Sequence, residues 1–397
     1  MKTQLLANVL LLFIFSQQTV HAEMEFIHPG TINSKANLDF IKKQIKDNKK
    51  PWVTEFHRLK KSTLLSRTPH VLATINSQNN QESSNMRDDA IAAYSLALMW
   101  IITDKDIYAK RAILFLNAWA GFKGFTSGSD QDKLQAGWMG SVFANAAELM
   151  RSYQGWSQGQ VSNFKLMFTK AFYPQLITAS SWNGNVDLTQ IDALISIAVF
   201  NDDEEAFNMA IIRLAQRNPA YFYLTSDGQR GASVKGDGGN IEQFWSNPTQ
   251  WVNGLNQETC RDNGHHSQYA LASALHVAEV AWNQGVDIYS EHQIRYIEAM
   301  ELLAKQLLSN DFFTCNNTQA SKNYFNTWEV GFNHYHNRKR FKLPYSQKLI
   351  KQNIRPNSMR TSWNIVYETL THANLPGHIM LNRRENINNL AVLIPSR

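Results

Sequence analysis

The 397-residue chain is poor in cysteine and proline, and past its first two dozen residues it has no apolar run long enough to cross a bilayer. Without such a run, the mature chain is expected to be soluble, with no membrane partner. No Pro/Ser-rich linker divides the sequence, so one large domain over residues 23–397 is favoured. Charge of one sign is also scarce: 39 Lys+Arg against 33 Asp+Glu leaves +6. That excess suits an acidic polymer and is too weak and too dispersed to argue for nucleic acid. The glycines of 228–239 match no phosphate-binding fingerprint. No serine sits in a Gly-x-Ser-x-Gly elbow. There is no His-Glu-x-x-His run and no four-ligand set at zinc spacing, so a catalytic metal is not expected. Strand signals are few, and 43% hydrophobic with 18% charged residues excludes a disordered or collagen-like chain.

The N-terminus reads as a targeting signal over residues 1–22. Lys2 gives a positive start, Leu5 to Phe15 an apolar core, and Val20-His21-Ala22 the small residues of a cleavage site before Glu23. A periplasmic or secreted protein is the expectation. Cys260 and Cys315 could then form one disulfide, worth up to about 4 kcal/mol by loop-closure arithmetic. Two buried thiols are the alternative.

Helical periodicity dominates the remainder. Ile91, Tyr94, Leu98, Ile101 and Ile102 mark one helix over 88–103. Thr103-Asp104-Lys105-Asp106 resembles a capping box before the next, as do Ser157 with Gln160 and Ser290 with Gln293. Further helices are expected over 138–153, 186–200, 204–217, 267–284 and 362–373, with Gly285 at a C′ position. Helices paired by short polar turns point to an all-α fold, an array or toroid of helical hairpins. Two stretches, 225–254 and 311–342, read as irregular loops, and loops this long are usually functional.

Four constellations could carry chemistry. Gln135 and Trp138, in Leu134-Gln135-Ala136-Gly137-Trp138, could face a sugar cleft, or the small residues could only serve helix packing. Asn183-Gly184-Asn185 can aim two amides at one point, or cap a helix. The densest segment, 258–269, holds Glu258, Arg261, Asp262, His265, His266 and Tyr269 just before a helix. The last, 328–338, combines His334, Tyr335, His336 and Arg338.

Taken in order, Leu-Gln-Ala-Gly-Trp (134–138), Trp-Asn-Gly-Asn (182–185), Glu-Thr-Cys-Arg-Asp-Asn-Gly-His (258–265), Ala-Trp-Asn-Gln-Gly-Val-Asp-Ile-Tyr (281–289) and Trp-Glu-Val-Gly-Phe-Asn-His-Tyr (328–335) resemble the alginate lyase family. These motifs span about 200 residues. The Asn-Asn-His-Ser-Tyr-Trp signature of the mannuronate-specific branch is absent, replaced by Asn183-Gly184-Asn185-Val186. The resemblance implies a single α/α toroid, an incomplete α/α barrel, that cleaves a 1,4-linked polyuronate by β-elimination and needs no cofactor. Its substrate would be an anionic polysaccharide, most simply alginate, with glucuronan as the alternative, and the enzyme a monomer.

The chemistry matches these residue types. The C5 proton beside a uronate carboxylate is weakly acidic until a cation or amide quenches the carboxylate charge. A base then removes it, and an acid protonates the departing O4. The resemblance makes Asn185 the neutraliser, with Arg261 or His265 assisting. Tyr335 is the first choice for base and acid and Tyr269 the second, with His265 the base for protons on the other face. His266, His334 and Arg338 are expected at subsites, with Asn183, Gln135 and Trp138 along the cleft. A glycoside hydrolase would instead need two opposed carboxylates, recruited from Glu258, Asp262 and Asp187.

Overall fold

The computed structural model describes residues 24–316, 324–357, 363–364 and 366–377. The targeting signal and Ser362 therefore lie outside the described residues. Among these residues ten helices of nine residues or more carry the fold: α1 (Lys35–Lys46), α2 (Trp52–Lys60), α3 (Asn80–Thr103), α4 (Asp106–Trp119), α5 (Asp130–Met150), α6 (Gln158–Met167), α7 (Gly184–Asn201), α8 (Glu204–Arg217), α9 (His265–Asn283) and α10 (Gln293–Ser309).

Helices α3, α5, α7 and α9 stand side by side as an inner row, with α4 backing α3 and α8 backing α7. Composition separates the two layers. In α7 every residue from Gly184 to Phe200 is buried, and in α9 every residue from Ser267 to Trp282. The outer α8 buries only the stripe Ala206, Phe207, Ala210, Leu214 and Arg217. A helix apolar or small all round belongs inside, and one with a single apolar stripe belongs outside. Gly137 sets the inner spacing, because a Cβ there would stand 2.9 Å from the Thr189 carbonyl carbon. These two layers form an incomplete α/α toroid.

The inner helices are parallel. Ser141 of α5 donates to Asp192 of α7 at 3.0 Å, Asp192 lies 3.3 Å from His276 of α9, and Thr189 pairs with Ser273 at 3.5 Å. Residues at equal depth thus meet, and the helix N-termini gather at one end. The centre is filled by the chain's own C-terminal segment. Asn364 donates to Asp192 and Ser273 (2.8 and 2.7 Å), Tyr367 stacks on Tyr94, and Glu368 meets His276 at 2.8 Å. Burial would lower the His276 pKa, but Asp192 and Glu368 outweigh it and raise it to about 10. A charged imidazolium therefore pins this segment in place.

Several local expectations need correction. Of the three capping boxes, only Ser157–Gln160 forms. Thr103 bonds back to the Met99 carbonyl instead, and Asp287 caps the Ser290 turn ahead of α10. The helix over 88–103 begins eight residues earlier, capped by Asn79. Residues Glu329–Phe332 and Asn333–Arg338 are helical rather than irregular, because burial of Val330, Phe332 and Tyr335 overrides their polar neighbours. The helix over 362–373 contracts to Glu368–His372. Gly285 does hold a left-handed C′ position (φ 84°), and Cys260 and Cys315 are joined as a disulfide. The 225–254 loop is irregular apart from single turns at Thr225–Asp227 and Ile241–Phe244.

Candidate active site

The mouth formed by the inner-helix N-termini holds most of the candidate residues. Asn183 caps α7, its side chain accepting from the Val186 amide, which places Asn185 in the first turn. The short helix Thr259–Asp262 precedes α9, and Asn263 and Gly264 reverse the chain between them through left-handed φ values of 55° and 77°. A Cβ at Gly264 would also meet Leu303 at 2.7 Å. This tight reversal sets Arg261 just ahead of His265, the first residue of α9. Two helix N-termini thus turn their positive ends toward one place.

Glu258 is the hub. Fully buried, it accepts from the Asn185 backbone (3.2 Å), the Asn185 side-chain amide (2.9 Å), the Tyr221 hydroxyl (2.8 Å) and Arg261. Asn185 spends its other amide hydrogen on Asn183 at 2.7 Å. Both N–H bonds of Asn185 are thereby committed, which leaves its carbonyl oxygen free. Arg261 keeps 42% of its side chain exposed. It lines a cavity of about 450 Å³ with Asn183, Glu258, Gln257, Asn240, Gln243 and the rings of Trp182 and Phe244. The two acids of this cavity are neutralised, Glu258 by Arg261 and Asp237 by the buried Arg217. Arg217 also holds Asp187 at 2.8 Å, tying the 225–254 loop to the first turn of α7.

The second half of the mouth is aromatic. His265 packs edge-on against Tyr269 and Phe325, with ring centroids 5.5 and 5.0 Å apart. His266 is bound to Asp262. Tyr269 accepts a hydrogen bond from the Trp363 indole, which in turn stacks on Trp138 of α5 at 4.0 Å. Gln135 is buried one turn before Trp138. Burial lowers the His265 pKa, and the neighbouring His266 adds to the shift. Burial raises that of Tyr269. The imidazole is thus a free base, and the phenol keeps its proton, at neutral pH.

Tyr335, His334 and Arg338 stand elsewhere, and the assignment of Tyr335 as base and acid is revised on that ground. They gather around Glu279, fourteen residues along α9 from His265, which at 1.5 Å per residue is roughly 21 Å away. Tyr335 is fully buried and donates to the Tyr289 carbonyl at 3.0 Å. His334 stacks on Tyr289 at 3.7 Å, and Arg338 clamps Glu279 through bonds of 2.7 and 2.8 Å. The paired-carboxylate alternative finds no opposed acids: Asp187 is held by Arg213 and Arg217, Glu258 by its four donors, and Asp262 by His266. Among the described residues no three His, Cys, Asp or Glu side chains are placed to hold a metal ion.

Glu258 as the hub, Trp363 and the cavity wall at 238–246 were not assigned from sequence. Glu258 could have been found, since an acid three residues before an arginine on a turn shares its face. Trp363 carried no local signal.

The molecule is thus an α/α toroid whose inner-helix N-termini frame an amide-, arginine- and aromatic-lined mouth. The comparisons resolve it further. The family model described as alginate lyase matches residues 29–313, most of the chain, and the chain belongs to that family. It is a polysaccharide lyase. The alginate lyase A1-III of Sphingomonas species A1 is similar in structure, with 15% identity over 81% of this chain and 93% of that one, and a TM-score of 0.58. A variant of A1-III complexed with a tetrasaccharide gives 16% identity over 81% and 91%, with the same TM-score. An alginate lyase from Bacteroides ovatus gives 14% identity over 71% and 84%, with a TM-score of 0.50. No curated protein sequence matches the chain.

Proposed function

We propose that this lyase is an exported, monomeric, single-domain enzyme that cleaves a 1,4-linked polyuronate, alginate first among them, by β-elimination. The reading is carried by neighbouring helix starts, where Asn185 and Arg261 share Glu258 and where His265 packs against Tyr269 at the start of α9. Arg261 meets the uronate carboxylate and stabilises the dianionic character that builds as C5 loses its proton. Asn185 acts chiefly through Glu258, which it shares with Arg261, holding the guanidinium in place. His265, kept neutral by burial, takes the C5 proton, and Tyr269, kept protonated, delivers one to O4. Two titratable groups whose surroundings push them in opposite directions divide the base and acid roles between them. Trp182 and Phe244 offer faces for sugar rings, and the amides of the cavity wall suit hydroxyl groups.

The test is to incubate the purified chain with polymannuronate, polyguluronate and glucuronan and follow absorbance of the unsaturated product. Turnover on at least one, lost in Arg261→Ala and Asn185→Ala with a cooperative unfolding transition retained, is the expected result. A saturated reducing end instead would overturn elimination, and a near wild-type rate in Arg261→Ala would overturn the neutraliser.

A further inference from the structure

We propose that Trp363, delivered by the C-terminal segment that fills the toroid, is a positioning residue for Tyr269, its indole N–H holding the phenolic oxygen so that the proton points to the departing sugar. The proposal rests on the reading of Tyr269 as the acid.

The geometry has three parts. The Trp363 Nε1–H donates to the Tyr269 hydroxyl oxygen. An oxygen that accepts from a fixed donor has its own hydrogen directed away from that donor, toward another acceptor. The indole is itself immobilised: it stacks on Trp138 at 4.0 Å with 29° between planes, and the Arg87 guanidinium lies 5.2 Å from its ring centroid. Its neighbour Asn364 is fastened to Asp192 and Ser273, so the donor is anchored to α7 and α9 together.

The same bond assists the chemistry. Elimination breaks C5–H and C4–O4, forms the C4–C5 double bond, and sends the C4–O4 pair to oxygen. That oxygen takes the Tyr269 proton, which leaves a phenolate. The Trp363 N–H and the Arg87 charge both stabilise that phenolate, whereas burial and Asp262 oppose it. His265 and His266 are the other titratable groups facing this ring.

Two substrates separate this role from a merely structural one. The first is the polyuronate found active above, whose departing alkoxide needs a proton. The second is the matching uronide with fluoride at C4, which leaves as an anion and needs none. Trp363→Phe keeps the stack and removes only the N–H. It is expected to lower kcat on the polymer by about tenfold, with fluoride release near the wild-type rate. Loss of equal size on both substrates, or no loss on either, would overturn the proposal. Should Trp363→Phe fail to fold, Arg87→Gln decides, with a smaller loss confined to the polymer expected and an equal or absent loss counting against. Tyr269→Phe tests the underlying reading separately: if it still turns over polymer, that reading fails whatever Trp363 does.

Discussion

A histidine, a tyrosine, an arginine and an acid gather at each end of helix α9, supplied partly by neighbouring segments, and only one end is built for chemistry. At the N-terminal end His265 and Arg261 keep part of their surface exposed, and the 450 Å³ cavity opens beside Arg261. At the C-terminal end His334 and Tyr335 are fully buried, and Arg338 is closed onto Glu279 with 3% of its side chain exposed. The residue types are nearly the same. What differs is whether the polar groups still reach the surface. Arg338 spends two donors on Glu279, and Tyr335 its only hydrogen on a carbonyl, whereas Arg261 spends one of five donors on Glu258.

Two tyrosine variants would break this comparison most directly. Tyr269→Phe should lower kcat by about 10² to 10⁴, the range for losing a general acid, at a stability cost of about 1 kcal/mol for the bond from Trp363. Tyr335→Phe should leave kcat within a factor of two or so and cost about 1 kcal/mol of stability, the typical worth of one hydrogen bond. Kinetics and thermal melting of the pair decide it, and a kinetic collapse in Tyr335→Phe would restore that residue to the reaction. Next in size, Arg338→Ala strands the buried Glu279 carboxylate and should destabilise by roughly 3–5 kcal/mol, read by urea unfolding. Arg261→Ala, whose partner Glu258 keeps Tyr221 and Asn185, should cost far less stability while removing turnover.

The sequence exposed the layers and half of the site. Periodicity located α8 at its observed bounds and α7 and α9 within two residues, because long helices write their burial into every turn. The 258–269 cluster and Asn183–Asn185 were legible because each lies within one turn of a helix start. The 328–338 cluster misled for the same reason: density of polar types is visible in sequence, but their burial against Glu279 and Tyr289, 40 to 60 residues away, is not. Trp363 lay beyond local inference too, since its partners Tyr269 and Trp138 are 94 and 225 positions distant.

Acid separates the two ends more finely than any deletion. Burial lowers the His334 pKa to about 3, with the Arg338 charge adding to it, against an ordinary 6.5. The unfolded chain therefore binds this proton at a higher pH than the native one. Stability from His334 is complete above pH 6.5 and drains away as pH falls toward 3, by at most about 1.4 kcal/mol per unit. His334→Gln should flatten that slope in urea unfolding between pH 6.5 and 4, and leave the pH dependence of kcat/KM in place. His265→Gln should remove the acid limb of the rate profile, whose midpoint lies below 6.5 because burial depresses this imidazole. It should flatten the stability slope as well, because the same depression links its titration to folding. If His334→Gln moved the rate profile as well as the stability curve, the sealed end would be taking part in the reaction, and the division of α9 into a reactive end and a sealed end would not stand.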